Sequence, residues 1–240
     1  MIHLLGCHMS GEGAAAVSNV AIAVIGDGCA GLSLAARSTS LPNHTMHLFS
    51  PQSNSLINNH VWGYWQMDWM KYVAPLTFKT WYKWSVKTEG AEVEMQACYH
   101  PYKAVKRDSW LAHCLKNAKQ NGVKFHNTLP SITEFSNDQV FDSRPPKWRA
   151  NMMVQHFLGW EVRADAGSFK DGTAILMDFR CDQSRGVHFI YCLPFSDSEA
   201  LVESTLLSPN IEPDGFYEDT ITNWLSDYAG VNRFEVLRRE

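Results

Sequence analysis

The stretch NVAIAVIGDGCAGLSLAARS, residues 19–38, decides the fold. Residues 20–25 are a continuous apolar run, β-branched at several positions, which predicts a buried strand. Gly26, Gly28 and Gly31 follow at GxGxxG spacing, and Leu32, Leu34, Ala35 and Ala36 continue as a helix. The run TMHLFS, residues 45–50, predicts the next strand and completes a βαβ unit. Such a unit is built around a phosphate. The first glycine makes the tight turn, the second lets a pyrophosphate approach the backbone, and the third lets helix pack on strand. Dinucleotide binding through Gly26, Gly28 and Gly31 is the expectation. One feature departs from the pattern. An acid that holds the ribose should end the second strand, about 20 residues on. This chain has Ser50 and Pro51 there, so Ser50 or Gln52 is left to offer a weaker hydrogen bond.

Outward from this unit the chain changes character. Residues 58–84, NNHVWGYWQMDWMKYVAPLTFKTWYKW, carry a dense set of Trp, Tyr and Phe. For most of these rings they predict a wide hydrophobic core or a sheet face; the alternative reading is that some line a pocket for a large apolar ligand. Such a wall also stabilises a passing cation, by roughly 1–2 kcal/mol per good contact. DSWLAHCLKNAKQNG (108–122) predicts a helix capped by Asp108 or Ser109 and ended by Gly122. Short strands are expected at VKFHN and QVFDSRPP, the latter stopped by Pro145 and Pro146. Four more follow, at 154–163, 173–180, 186–193 and 199–207, before a helix in EPDGFYEDTITNWLSDYAG.

Composition narrows the functional classes. Of 240 residues, 45% are hydrophobic and 19% charged, so a sizeable core can form. The net charge is -4 with no basic stripe, which argues against a nucleic-acid partner. Six scattered Cys without a CxxC pair suit a reduced compartment, and neither an HExxH nor a His/Cys cluster predicts a metal site. The apolar start lacks a cationic n-region, so no secretory signal is read. No run of about 20 apolar residues predicts a membrane span. Residues 1–18 read as a disordered lead-in.

Several segments are less generic: VFDSRPP, QHFLGWEVRAD, LMDFRCDQSRGVHFIYCLPFSDSEALVEST and the terminal VLRRE, in this order after GDGCAG. Together with NNHVWGYW they resemble the bacterial lycopene cyclase family, the flavoprotein type that makes β-rings. The resemblance runs from about Asn19 to Glu240 and is strongest between Val140 and Thr205. It implies an α/β fold: a Rossmann-like FAD-binding domain of the flavin oxidoreductase type (residues 19–60 and 98–150) with a mixed β-sheet substrate domain (61–97 and 151–240). It implies FAD, working reduced with NADPH as the electron source. It implies cyclisation of the ψ-ends of lycopene or a similar carotenoid to β-ionone rings without net redox change. The expected location is cytoplasmic, with peripheral attachment to a lipid surface through the Trp-rich segment. Members resembling this chain continue past VLRRE into a Glu-containing segment with Ile-Pro-Met and a further glycine-rich stretch, so a C-terminally truncated chain is expected here. The alternatives are another FAD-dependent oxidoreductase acting on an isoprenoid or aromatic substrate, or an inactive truncated chain.

Cyclisation needs a proton delivered to a terminal C=C, and the substrate carries no charged group to help. Glu203 lies alone in the apolar run ALVESTLL, where desolvation raises a carboxyl's pKa and makes it a donor near neutral pH. In the resemblance, ALVEST matches the family's short motif whose Glu is the acid/base. The competing reading is a solvated Glu203, or one paired with Arg180 or Arg185. By the resemblance, Asp142 in DSRPP occupies the strand end where flavoproteins of this type approach the cofactor, with Arg144 a lesser candidate. Asp178 and Arg180 share a strand face, as an ion pair or near the pocket. Glu240 reads as a frayed terminus.

Overall fold

A computed structural model describes residues 20–50, 60–130, 135, 139–147, 149 and 152–240. The expected lead-in at residues 1–18 and Gln52 lie outside the described residues. The elements in chain order are β1 (Val20–Ile25), α1 (Cys29–Ala35), β2 (His44–Phe49), β3 (Val61–Trp65), β4 (Thr77–Trp81), β5 (Lys83–Thr88), β6 (Ala91–Gln96) and β7 (Tyr102–Lys106). They continue with α2 (Arg107–Gln120), β8 (Lys124–His126), β9 (Val140–Asp142), β10 (Val154–Ala164), β11 (Thr173–Asp178), β12 (Val187–Pro194), β13 (Glu199–Ser208), α3 (Asp214–Asp227) and β14 (Phe234–Arg239). The architecture is α/β, with a parallel sheet and a mixed sheet. The chain falls into two compact units, residues 1–53 with 114–144 and residues 54–113 with 145–240.

The first unit is a parallel sheet of order β8-β2-β1-β9. Central β1 is buried from Ile22 to Ile25, so both its faces must be apolar, which is why it reads as a run rather than an alternation. α1 packs back through Gly31, Leu32 and Ala35. Asn121 closes the open end of α1 by donating its side-chain amide to the Ala36 carbonyl at 2.9 Å. Asp108 does not precede α2 as a cap. It lies in the first turn and accepts from the Ser109 N–H at 2.6 Å. Gly122 follows the helix at φ 76°, a conformation glycine adopts without strain.

The second unit holds a seven-stranded mixed sheet, β14-β10-β13-β12-β11-β5-β6, and a three-stranded sheet, β3-β7-β4. Tyr102–Lys106 pairs with both β3 and β4 and so belongs to this unit. One face of the large sheet is covered by α3, whose buried Tyr217, Ile221, Trp224 and Leu225 recur at helical spacing and meet Leu158, Trp160, Val162, Ile190, Val202 and Leu206. The other face buries Leu193 and Leu201 against Trp81, Tyr102 and Ala104, with Trp65 and Trp84 at the edge of that cluster. The aromatic stretch is thus split. Trp81 is fully buried, whereas Trp69 and Tyr82 are exposed.

Candidate functional site

The first unit brings its four predicted residues together at the carboxyl ends of β1 and β9. β1 runs on through α1 to β2 on one side, while β9 lies on the other, so the crevice above these strand ends is a topological switch point. Gly26 turns the chain at φ 100°, where a side chain is strained. Gly31 has no room for a Cβ, which would run into the Gly26 carbonyl oxygen and lie 2.9 Å from Ser143 Oγ. A Cβ on Gly28 meets nothing within 4 Å, so that glycine borders open space. Ser143 stitches the two strands by donating to the Ile25 carbonyl at 2.8 Å. Asp142, paired with Ile25 across β1 and β9, is held by Arg144 through bonds of 2.6 and 2.9 Å. The hydrogen bond from Arg144 holds its carboxyl below the usual carboxylate range. At the end of β2, the Ser50 hydroxyl is buried with no partner among the described residues. A Cβ-free cradle, open space at Gly28 and an orphaned hydroxyl at the second strand's end together fit a dinucleotide phosphate and its ribose.

The second unit contains Glu203, in the middle of β13. It stands opposite Tyr191 on β12 and Gly159 on β10, so these three residues form one row across the sheet. Directly opposed residues share a face, and this face is the one turned away from α3. On one side of the row lie buried Leu193 and Leu201, in the dry core. On the other side the next rows are Phe189–Thr205–Phe157 and Val187–Leu207–Gln155, apolar except for Thr205 and Gln155. There Phe157 is 43% and Val187 51% exposed. Glu203 therefore marks the border between a closed core and an open apolar face. Thr205 donates its hydroxyl to Glu203 at 2.5 Å. Neither arginine considered as a partner reaches it. Arg180 binds Asp178, and Arg185 lies 3.6 Å from Glu212.

Burial pushes the Glu203 carboxyl up to about 7. The Thr205 bond lowers it and the charge of Glu240 raises it further. Its folded pKa thus lies above the ordinary value of 4.5. The stability it allows is fully present below that ordinary value and is lost as pH rises through about 7. A tenfold change in a proton-binding equilibrium is worth about 1.4 kcal/mol. The stability of Glu203→Gln relative to wild type should therefore improve by up to about 3 kcal/mol between about pH 4 and about pH 8. Urea midpoints at several pH values measure this. A difference that does not vary with pH would mean that Glu203 is solvated in the folded protein.

Tyr191 donates to or accepts from Tyr102 at 2.6 Å, and burial raises both phenols above their usual range. Gly63 on β3 leaves room for this pair, since a Cβ there would collide with both hydroxyls. Sequence reading missed Tyr102, Tyr191, Gly63 and Gly159. A signal existed. Taking SDS (196–198) as the turn of a hairpin puts Tyr191 opposite Glu203, and an interior strand glycine such as Gly159 marks a close approach. The expectation of a frayed Glu240 is corrected. Its backbone exchanges two 2.9 Å hydrogen bonds with Gly159, and its side chain is only 3% exposed. Desolvation opposes ionisation of Asp178. Bonds from Arg180 (2.6 and 2.9 Å) and Trp224 (2.9 Å) outweigh it and leave the carboxyl lowered, so this is a buried ion pair on the α3 face, away from Glu203. Among the described residues no group of three or more His, Cys, Asp or Glu can hold a metal ion, and no helix is long and apolar enough to cross a membrane.

A family model described as lycopene cyclase protein matches residues 21–240. No curated protein sequence matches the chain. Among solved structures, a geranylgeranyl bacteriochlorophyll reductase-like protein from Thermoplasma acidophilum superposes with TM-score 0.60 at 11% identity, over 92% of this chain and 65% of that one. The flavin-dependent brominase Bmp2 gives 0.54 at 12% identity, over 87% and 62%. A 2-methyl-3-hydroxypyridine-5-carboxylic acid oxygenase gives 0.50 at 14% identity, over 92% and 70%. The chain thus spans under two thirds of the first two structures, and at such identities these likenesses speak for the fold.

Proposed function

This chain belongs to the lycopene cyclase family, and we propose that it carries the flavin-holding and acid-bearing parts of an enzyme that closes the ψ-ends of lycopene, or a similar carotenoid, into β-rings. The observation that carries the reading is Glu203, a carboxyl that burial keeps protonated up to about pH 7 at the border of an open apolar face. In this reading the first unit is the FAD-binding part and the second the substrate part. Gly26, Gly28 and Gly31 cradle the pyrophosphate, Ser50 meets the ribose, and Asp142 contacts the cofactor. When bound to these residues and reduced, FAD would supply an electron-rich ring system able to stabilise cationic charge.

The chain's own residues do the proton work. A polyene end lies along Phe157, Leu207 and Val187, where burying apolar surface favours it by about 25 cal/mol per Å². Glu203 gives its proton to the terminal C=C, leaving a tertiary carbocation. A neighbouring C=C attacks this centre and closes the six-membered ring. Transfer of a ring proton back to the Glu203 carboxylate then restores both the acid and a neutral isomer of unchanged mass. A polyene end seated on the apolar rows displaces water that would otherwise trap the cation, and the Tyr191 and Phe189 rings offer it their negative faces. Such a substrate dissolves in lipid, so the protein works in the cytoplasm at a membrane surface, with exposed Trp69, Phe78 and Tyr82 available for interfacial contact.

One alternative is reduction of an isoprenoid, the reaction class in the name of the geranylgeranyl bacteriochlorophyll reductase-like protein that shares the fold. Product mass separates the two. The full enzyme expressed in cells that accumulate lycopene should convert it to a cyclic isomer of the same mass. A product heavier by two hydrogens, or by oxygen, would replace the cyclase reading with an oxidoreductase one.

A further inference from the structure

Glu203 is not the only acid of its row. Gly159 stands opposite it across β10 and β13, and on its other side Gly159 pairs with the backbone of Glu240. A Cβ on Gly159 would lie 3.0 Å from Glu240 Cγ and 3.6 Å from Glu203 Cγ, so the two acids share the room that a side chain here would occupy. Their surroundings differ. Glu240 accepts from Arg238 at 2.7 Å and from the Val61 N–H at 3.1 Å, with His60 Nδ1 at 3.7 Å. Glu203 accepts from the neutral Thr205 hydroxyl. A guanidinium and a backbone N–H stabilise the ionised form of the first acid more than a hydroxyl stabilises that of the second.

We propose that Glu240 is a positioning residue for Glu203: its carboxylate, tied to Arg238 and the Val61 N–H, faces Glu203 across Gly159 and adds to burial in holding the proton there. The inference rests on the reading of Glu203 as the acid. Two carboxyls whose environments pull their protonation apart divide the roles of charge and proton between them. The groups around the pair agree with this division. Arg238 is shared with Glu161, at 3.1 Å, so one guanidinium already faces two carboxylates before Glu203 could ionise. Lys106 lines a cavity with Val61, Glu161 and Arg238, and its ammonium lies 5.6 Å from the Phe78 ring centroid. On the facing strands, Tyr102 and Tyr191 are neutral, since burial raises both. A third negative charge at Glu203 would be repelled by Glu240, and the proton relieves that repulsion.

The test is a direct titration. The protein is labelled with ¹³C at glutamate carboxyls, and the Glu203 resonance is assigned by its loss in Glu203→Gln. No flavin or substrate is required for this readout. In wild type the resonance should titrate near 7. In Glu240→Gln the midpoint should fall toward the ordinary carboxylate range. In Glu240→Asp, which keeps the charge but withdraws it by one methylene, it should lie between the two. Where Glu240→Gln does not fold, the Asp variant decides. An unchanged midpoint in either folded variant overturns the proposal. In the enzyme, the alkaline limb of the pH profile for cyclisation should move to lower pH by the same amount in Glu240→Gln, which a purely structural role would not produce. If the midpoint moves but no cyclisation occurs at any pH in wild type, the coupling stands and the cyclase reading fails.

Discussion

Replacing Glu203 by Gln in the enzyme is expected to lower cyclisation by roughly 10²–10⁴-fold, the usual worth of a positioned general acid, while fold and flavin content stay as they are. Gln keeps the size of the side chain and can still accept the Thr205 hydroxyl, which bonds Glu203 at 2.5 Å. What it lacks is a proton of useful acidity. Glu203→Asp should be intermediate, because the acid survives but is drawn back by one methylene from the open apolar face. Glu199 is the control on the same strand. It is held by Arg163 at 2.7 Å in a partly exposed pair, the kind worth about 0–1 kcal/mol, so Glu199→Gln should be nearly silent. A pigment assay in lycopene-accumulating cells, with flavin absorbance read in parallel, measures all three. A Glu203→Gln enzyme of wild-type activity rules the acid out. A loss in Glu199→Gln with Glu203→Gln active would move the proton donor four residues upstream.

The parts legible in the sequence are those written in local chemistry. Residues 19–38 combine an apolar run, three spaced glycines and a helical pattern, and each is a local consequence of backbone sterics and burial. β1, α1 and β2 follow directly from them. The strands from β10 to β13 could be read because their apolar content is high and FSDS and the prolines mark their ends. β6 and β14 were missed. β6, AEVEMQ, does alternate apolar and polar residues, a strand signal that sequence reading passed over, yet it is exposed along its whole length and neither face is buried, whereas β14, FEVLRR, loses the alternation after Val236. β7 escapes sequence reading for another reason. Its burial comes from pairing with both β3 and β4, a long-range fact that five residues cannot announce. The site divides in the same way. Glu203 stands out as a lone acid in an apolar run. The pairing of Gly159 with Glu240, and of Tyr102 with Tyr191, depends on strand register and on segments far apart in the chain.

Gly28→Val and Gly31→Ala should separate cofactor binding from folding, because the two glycines are needed for different reasons. Gly28 has φ -74° and ψ -168°, which any residue adopts, and a Cβ there meets nothing within 4 Å. A valine should therefore leave the stability of the protein within about 0.5 kcal/mol of wild type, as surface substitutions usually do. Its methyl groups fill the space through which a pyrophosphate would approach the backbone, so flavin affinity should fall by at least about tenfold, or about 1.4 kcal/mol. Gly31 is the opposite case. Its Cβ would strike the Gly26 carbonyl oxygen, which is backbone and cannot swing aside, so the turn itself must open. Overpacking of this kind costs about 1–3 kcal/mol, and flavin should be lost along with stability. Thermal melts and the visible flavin spectrum of the two purified holoproteins give both quantities. A Gly28→Val protein that is stable and fully yellow would remove the phosphate from this turn, and the open space beside Gly28 would then need another explanation. A Gly28→Val protein that is stable and colourless, beside a Gly31→Ala protein that is destabilised, is the pattern a phosphate cradle produces and a merely structural glycine turn does not.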